Sequence, residues 1–205
     1  MQTDLSRYKS EYSCGRPWFV QVLWFLLGQP LLRASLIPWS GLRLVLLRTF
    51  GAKVGQGVVI KPGVRVKYPW LLEIGDYCWI GEDAWIDNLE RVAIESNVCL
   101  SQGVYICTGN HDWSDVSFKL IASPVTICEG AWIGAMAVVC PGVEVAQGAV
   151  ASAGSVITTR MEAYGIYAGN PARWIKSRVL HASDINDPAR EGCDLDRGKA
   201  LIDPR

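Results

Sequence analysis

The feature that most constrains this chain is a beat of six. From Ile127 onward an aliphatic or small residue returns at every sixth position, through Ile133, Val139, Val145, Ala151 and Ile157. Four residues after each stands a second small or modest side chain, in order Ala131, Ala137, Val143, Ala149, Ser155 and Met161, and glycine recurs between them at Gly130, Gly142, Gly148 and Gly154. An α-helix of about 3.6 residues per turn cannot keep residues six apart on one face. A short strand followed by a tight turn can, because glycine tolerates the turn geometry.

Three such hexads close one triangular coil, and the beat extends upstream. The first coil runs through Val54, Ile60 and Val66, the second through Ile74, Ile80 and Ile86, and the third through Ile94, Leu100 and Ile106. Ile127, Ile133 and Val139 make the fourth, and Val145, Ala151 and Ile157 the fifth. The spacing stretches to eight between Val66 and Ile74, to eight again between Ile86 and Ile94, and to twenty-one between Ile106 and Ile127. All three insertions follow a third hexad, so they project from one edge, and repeat architectures often use the inserted side for binding. The expectation is an all-β solenoid, a parallel β-helix of about five coils over residues 51–178. A helical segment over 1–50 precedes it, a loop over 107–124 protrudes from it, and a polar tail over 179–205 follows.

Half of the 205 residues are hydrophobic, enough for one sizeable core. Twenty Lys and Arg balance twenty Asp and Glu, so no basic excess exists to hold a nucleic-acid backbone. Seven cysteines form no CxxC pair, and the N-terminus lacks the order of a signal peptide, which reads as free thiols in a reducing cytoplasm. The longest apolar run, Trp18 to Leu27, is about half of the roughly twenty residues that a bilayer span needs. The wider segment from Trp18 to Phe50 is rich in Trp and Leu, broken by Pro30 and Pro38, and carries Arg33, Arg43 and Arg48. It is expected to form two short helices that cap the open end of the repeat core, with peripheral contact to the inner face of a membrane as the alternative.

The hexads, the segment Trp85-Ile86-Asp87-Asn88-Leu89, the run Thr108-Gly109-Asn110-His111-Asp112-Trp113 and the closing Ala168-Gly169-Asn170-Pro171-Ala172-Arg173 resemble hexapeptide-repeat O-acetyltransferases. The likeness covers roughly residues 40–178 and is strongest to the branch for colanic acid and other exopolysaccharide biosynthesis, related to the maltose and galactoside acetyltransferases. It implies a left-handed coil, an exception to the right-handed crossover rule, and a homotrimer with active sites between subunits. It further implies acetyl-CoA as acyl donor, a saccharide hydroxyl as acceptor, and no metal.

Acyl transfer to an alcohol needs a base, and imidazole, with an ordinary pKa of ~6.5, suits that work at neutral pH. His111 lies in the largest insertion, and the resemblance puts the family's base there. Stacking sets Asp87 and Asn88 beneath Cys107 and Thr108, about 4.8 Å away per coil, so both border the same edge. Either is a candidate acceptor contact, Asp87 or Asp112 a candidate partner for the imidazole proton, and simple turn chemistry the competing account of Asp87 and Asn88. For the CoA arm the candidates are the small turn residues Ala135 and Ala153 beside the outward Trp132. Arg173, Lys176 and Arg178 follow the closing motif, where the resemblance suggests phosphate contacts, with a solvated basic stretch as the other reading. In the segment Thr158 to Ala163, Thr159 replaces a lysine common in relatives, and Arg160 is the neighbouring cation. Outward Trp79, Trp85, Tyr105 and Trp132 predict burial against a neighbouring subunit.

Two rivals stand beside this reading. A zinc carbonic anhydrase on the same fold would want three histidines, and the chain has only His111 and His181. A non-catalytic scaffold that has lost its chemistry is the second. His181 and Cys193 fall in a tail rich in Asp, Arg, Gly and Pro that reads as flexible and receives no role.

Overall fold

The computed structural model describes residues 3–9, 12–36 and 39–181. Pro38, Cys193 and nearly all of the expected polar tail lie outside the described residues.

The hexads fold as short parallel strands stacked into three sheets, one per prism face. The first face stacks Lys53–Val54, Leu72–Ile74, Val92–Ile94, Val125–Ile127 and Glu144–Val145. The second stacks Val59–Ile60, Trp79–Ile80, Cys99–Leu100, Trp132–Ile133, Val150–Ala151 and Gly165–Ala168, and the third Arg65–Val66, Trp85–Asp87, Tyr105–Cys107, Val138–Val139 and Val156–Ile157. Register is in phase with the beat, for example Ile74 opposite Ile94, Ile94 opposite Ile127 and Ile127 opposite Val145. The solenoid thus has five complete coils and part of a sixth, formed where Met161 bridges Val145 and Gly165–Ala168 joins the second face. Arg173–Ser177 returns antiparallel on that last strand and closes the end.

The periodic aliphatics line the interior. Ile60, Ile80, Leu100, Ile133 and Ala151 form one buried column, and the residues four past each beat, Ala131, Ala137, Val143, Ala149, Ser155 and Met161, are buried too. Small side chains are needed there because coils stack through their turns. At Gly134 a Cβ would come within 2.6 Å of the Ala153 nitrogen in the next coil. At Gly148, φ +64, it would meet the Tyr164 ring at 2.6 Å.

The expected cap is present. Helix α1 (Trp18–Leu23) runs through a π-helical turn (Trp24–Gly28) into α2 (Gln29–Arg33), and α3 (Ser40–Thr49) follows. Trp24, Leu32 and Leu47 are fully buried and belong to the same apolar core as the first coil. The Trp24 indole N–H donates to the Val66 carbonyl at 3.0 Å, and the Ser40 hydroxyl accepts from the Ile60 nitrogen at 2.8 Å. Buried Arg43 donates to the carbonyls of Leu32 and Ala34 at 3.0 and 2.9 Å, which ties α3 to the end of α2.

Candidate active site

The largest insertion forms a β-hairpin on the edge between the third and first faces. Gly109–His111 pairs antiparallel with Leu120–Ala122, with His111 opposite Leu120. Its base is stapled by Thr108, which is fully buried; its hydroxyl donates to the Asp87 carbonyl at 3.1 Å and accepts from the Glu90 nitrogen at 3.0 Å. The N-terminal segment reaches back over the hairpin. The Asp4 nitrogen donates to the Val116 carbonyl at 2.9 Å, and the Tyr12 hydroxyl donates to the Leu89 carbonyl at 2.5 Å.

His111 Nδ1 lies 2.8 Å from the Phe118 carbonyl oxygen. A carbonyl can only accept, so Nδ1 carries a proton, and in the neutral ring the lone pair is then on Nε2. The ring is stacked on Phe118, centroids 4.3 Å apart and nearly parallel, and the Tyr8 ring lies tilted beside it with centroids 5.9 Å apart. The expected carboxylate partner is therefore replaced by a backbone carbonyl. Asp112 turns away and accepts from the Ser114 nitrogen and hydroxyl, which holds its carboxyl below the usual carboxylate range. Asp87 pairs with Lys67 at 2.9 Å and accepts from the Tyr105 hydroxyl at 3.1 Å.

Asn88 corrects the expectation of an acceptor contact. It is fully buried, its oxygen accepts from the Tyr68 nitrogen at 3.0 Å, and its amide donates to the Tyr68 carbonyl at 2.7 Å. Its side chain bridges to the backbone of the preceding coil, twenty residues away, rather than closing its own turn. Arg178 is likewise occupied, donating to the Gly130 and Gly148 carbonyls at 2.9 Å each.

The CoA candidates divide between two edges. Ala135 and Ala153 sit in stacked turns between the second and third faces, joined where the Gly154 nitrogen donates to the Ala135 carbonyl at 2.8 Å. Trp132 faces outward beside them and donates to the Ser101 hydroxyl at 2.9 Å. Arg173 and Lys176 lie on the exposed closing strand of the second face. Arg160 is elsewhere, on the edge that also carries the His111 hairpin, paired with Glu144 at 3.3 Å. A cavity of about 400 Å³ lined by Arg7, Lys9, Tyr12, Ser117, Lys119 and Leu120 lies against the hairpin. No periodicity announces it, because its walls come from an irregular strap and an insertion. Among the described residues no group of three His, Cys, Asp or Glu side chains is placed to hold a metal ion.

Comparison with known proteins follows the same lines. No protein-family profile matches the chain. The chain is 39% identical over 152 residues, 72% of its length, to Escherichia coli WcaF, provisionally named a colanic acid biosynthesis acetyltransferase, of which it covers 84%. Its fold matches a hexapeptide-repeat acetyltransferase of Vibrio cholerae solved with acetyl-CoA, TM-score 0.74 at 19% identity, over 86% of this chain and 96% of that one. The chain belongs to the hexapeptide-repeat acetyltransferases. Within the family it is also 28% identical over 145 residues to the galactoside O-acetyltransferase of Escherichia coli, covering 69% of this chain and 68% of that protein.

The outward aromatics need one correction. Trp85 and Tyr105 pack against each other with centroids 4.6 Å apart and rings tilted by 31°, and Arg65 lies 4.3 Å over the Trp85 ring, so both are half-buried within the chain itself. Trp79 and Trp132 remain 63% and 46% exposed on the second face of this acetyltransferase, flanking Cys99 on adjacent coils.

Proposed function

We propose that this acetyltransferase moves the acetyl group of acetyl-CoA to a hydroxyl of a saccharide acceptor in the synthesis of a surface polysaccharide, with His111 as general base. The observation that carries the reading is the Nδ1 contact with the Phe118 carbonyl, which leaves Nε2 free to accept a proton. The acceptor hydroxyl gives its proton to Nε2 as its oxygen attacks the thioester carbonyl; collapse of the tetrahedral intermediate expels the CoA sulfur, which takes that proton from the imidazolium. Burial raises the thiols of Cys78, Cys99, Cys128 and Cys140, so these four stay protonated at neutral pH. The acetyl-CoA of the Vibrio relative and the colanic acid and galactoside names of the others support donor and acceptor class.

The donor is proposed to run along the edge of Ala135 and Ala153, beside Trp132, with Arg173 and Lys176 at its phosphates. That edge and the hairpin edge flank opposite sides of the third face, so His111 and this groove do not meet within one chain. A homotrimer, assembled through the face that bears Trp79 and Trp132, brings a neighbour's groove to the hairpin. Asp87 is proposed to border the acceptor there. The described cysteines are all free thiols, in keeping with a cytoplasmic protein.

The test is His111→Ala. Turnover with acetyl-CoA and a panel of sugar acceptors is expected to fall by roughly 10² to 10⁴, the range for loss of a general base, while CoA affinity and the melting temperature stay near wild type. Substantial transfer by a well-folded variant overturns the base. Absence of CoA binding to the wild type by calorimetry favours a scaffold instead.

A further inference from the structure

The helical cap is apolar on the side that faces away from the core. Trp24, Gly28 and Leu32, four residues apart, are its inward stripe, and the rest of a surface helix is normally polar. Here Trp18, Phe19, Val22, Leu23, Leu26 and Leu27 are all exposed, Trp18 at 73% and Leu26 at 69%. Leu36 follows at 96% and Trp39 at 72%, and Leu42 and Val45 extend the same character along α3. A contiguous face of this size is not left to water in a monomer without a use.

Charge selects what covers it. Between Glu11 and Glu73 the sequence has no acidic residue at all, yet it carries Arg16, Arg33, Arg43, Arg48, Lys53, Lys61, Arg65 and Lys67. In a chain with formal net charge +0, the compensating acids therefore lie elsewhere. Some of these cations are occupied. Arg43 serves buried carbonyls, Arg48 donates to the Val54 and Gly55 carbonyls, Lys53 pairs with Glu73, Arg65 covers Trp85 and Lys67 pairs with Asp87. Arg16 and Arg33 are exposed at the cap, Arg33 at a hollow that Asp83 also lines, and Lys61 is exposed on the first coil beside Trp79. An isologous contact with a second copy would set these cations against their own kind.

We infer that the cap is a membrane-docking surface, lying in the headgroup plane of an anionic bilayer with Trp18, Leu26, Leu27 and Trp39 in the acyl boundary. The continuous helix from Trp18 to Arg33 is about 24 Å long at ~1.5 Å per residue, short of a span, and no described helix is long and apolar enough to cross a membrane. An apolar face with flanking cations and exposed tryptophans is the pattern of an interfacial helix. The segment leading from the cap, where the Trp70 indole donates to the Cys14 carbonyl at 2.7 Å, continues to Tyr8 beside His111. Docking would thus hold the hairpin close to the bilayer surface.

The full-length protein is mixed with vesicles of phosphatidylcholine alone and with about one-third phosphatidylglycerol, then sedimented. It is expected to pellet with the anionic vesicles and to be released several-fold as salt rises from about 0.1 to about 0.5 M. Leu26→Glu with Leu27→Glu, at exposed positions outside the core and the proposed site, is expected to weaken partition about tenfold or more. Its melting temperature and solution mass should not change. A wild type that ignores both vesicles, or a double variant that pellets as well as wild type, overturns the inference. A double variant of altered mass also overturns it, by showing that the face joins subunits.

Discussion

At the scale of single residues, the site is oriented by the backbone. The partner at His111 Nδ1 is a carbonyl of Phe118, a residue held at φ +53, and no side-chain pattern encodes a carbonyl. The acidic neighbours that the sequence offers as partners are engaged elsewhere, Asp112 with Ser114 and Asp87 with Lys67 and Tyr105. Asn88 offers the sharpest separation of structure from function. Asn88→Ala takes the partner of the Tyr68 nitrogen, while the Tyr68 carbonyl keeps the Leu71 nitrogen as donor, and an unsatisfied buried group costs about 1 to 3 kcal/mol. We expect a melting temperature lower by several degrees with KM for the acceptor unchanged; a raised KM in a protein of normal stability would return Asn88 to the acceptor site.

At the scale of elements, ion pairs stitch successive coils along the hairpin edge. Glu73 of the second coil bonds Arg91, which leads into the third, and Lys53 of the first at 2.9 Å. Those two cations, Arg91 first, pull its carboxyl down to about 2 from an ordinary 4.5. A carboxylate with a depressed folded pKa contributes stability that is present above about pH 4.5 and fades as pH falls toward 2. The pair is solvent-exposed, so the effect is small. Thermal melts of Glu73→Gln and wild type should therefore differ most near neutral pH and converge near pH 2 to 3; a gap that persists in acid would show that packing, not charge, is at stake.

At the scale of the whole molecule, the two halves of the proposed site lie on different edges of the prism, and Trp79 and Trp132 stand exposed on the second face, through which assembly is proposed. Trp79→Asp with Trp132→Asp places charges in that column without touching the interior. Light scattering is expected to show the trimer of the wild type reduced to monomer in the double variant, with transfer lost while the coil still melts cooperatively. A wild type that is monomeric at micromolar concentration, or a double variant that remains trimeric, refutes assembly through this face.

The coil was legible in the sequence because its core is local. Each hexad contributes its own inward residue, the next coil repeats it in register, and a periodicity of six has only one compact solution once glycine and small side chains allow the turns to stack. The position of the insertions, and hence the edge that bears His111, followed from the same counting. Handedness and donor class were legible only through resemblance. What the tertiary structure alone decided are contacts that the inward beat does not specify: the Phe118 carbonyl on His111, Tyr8 reaching His111 and Tyr12 reaching Leu89 from the N-terminal segment, Trp85 against its register partners Tyr105 and Arg65, and Asn88 turned inward to Tyr68. Outward positions in a repeat carry no instruction about which neighbour covers them, since the periodic interior is satisfied either way. Their partners depend on distances across turns and loops, which only the folded chain fixes.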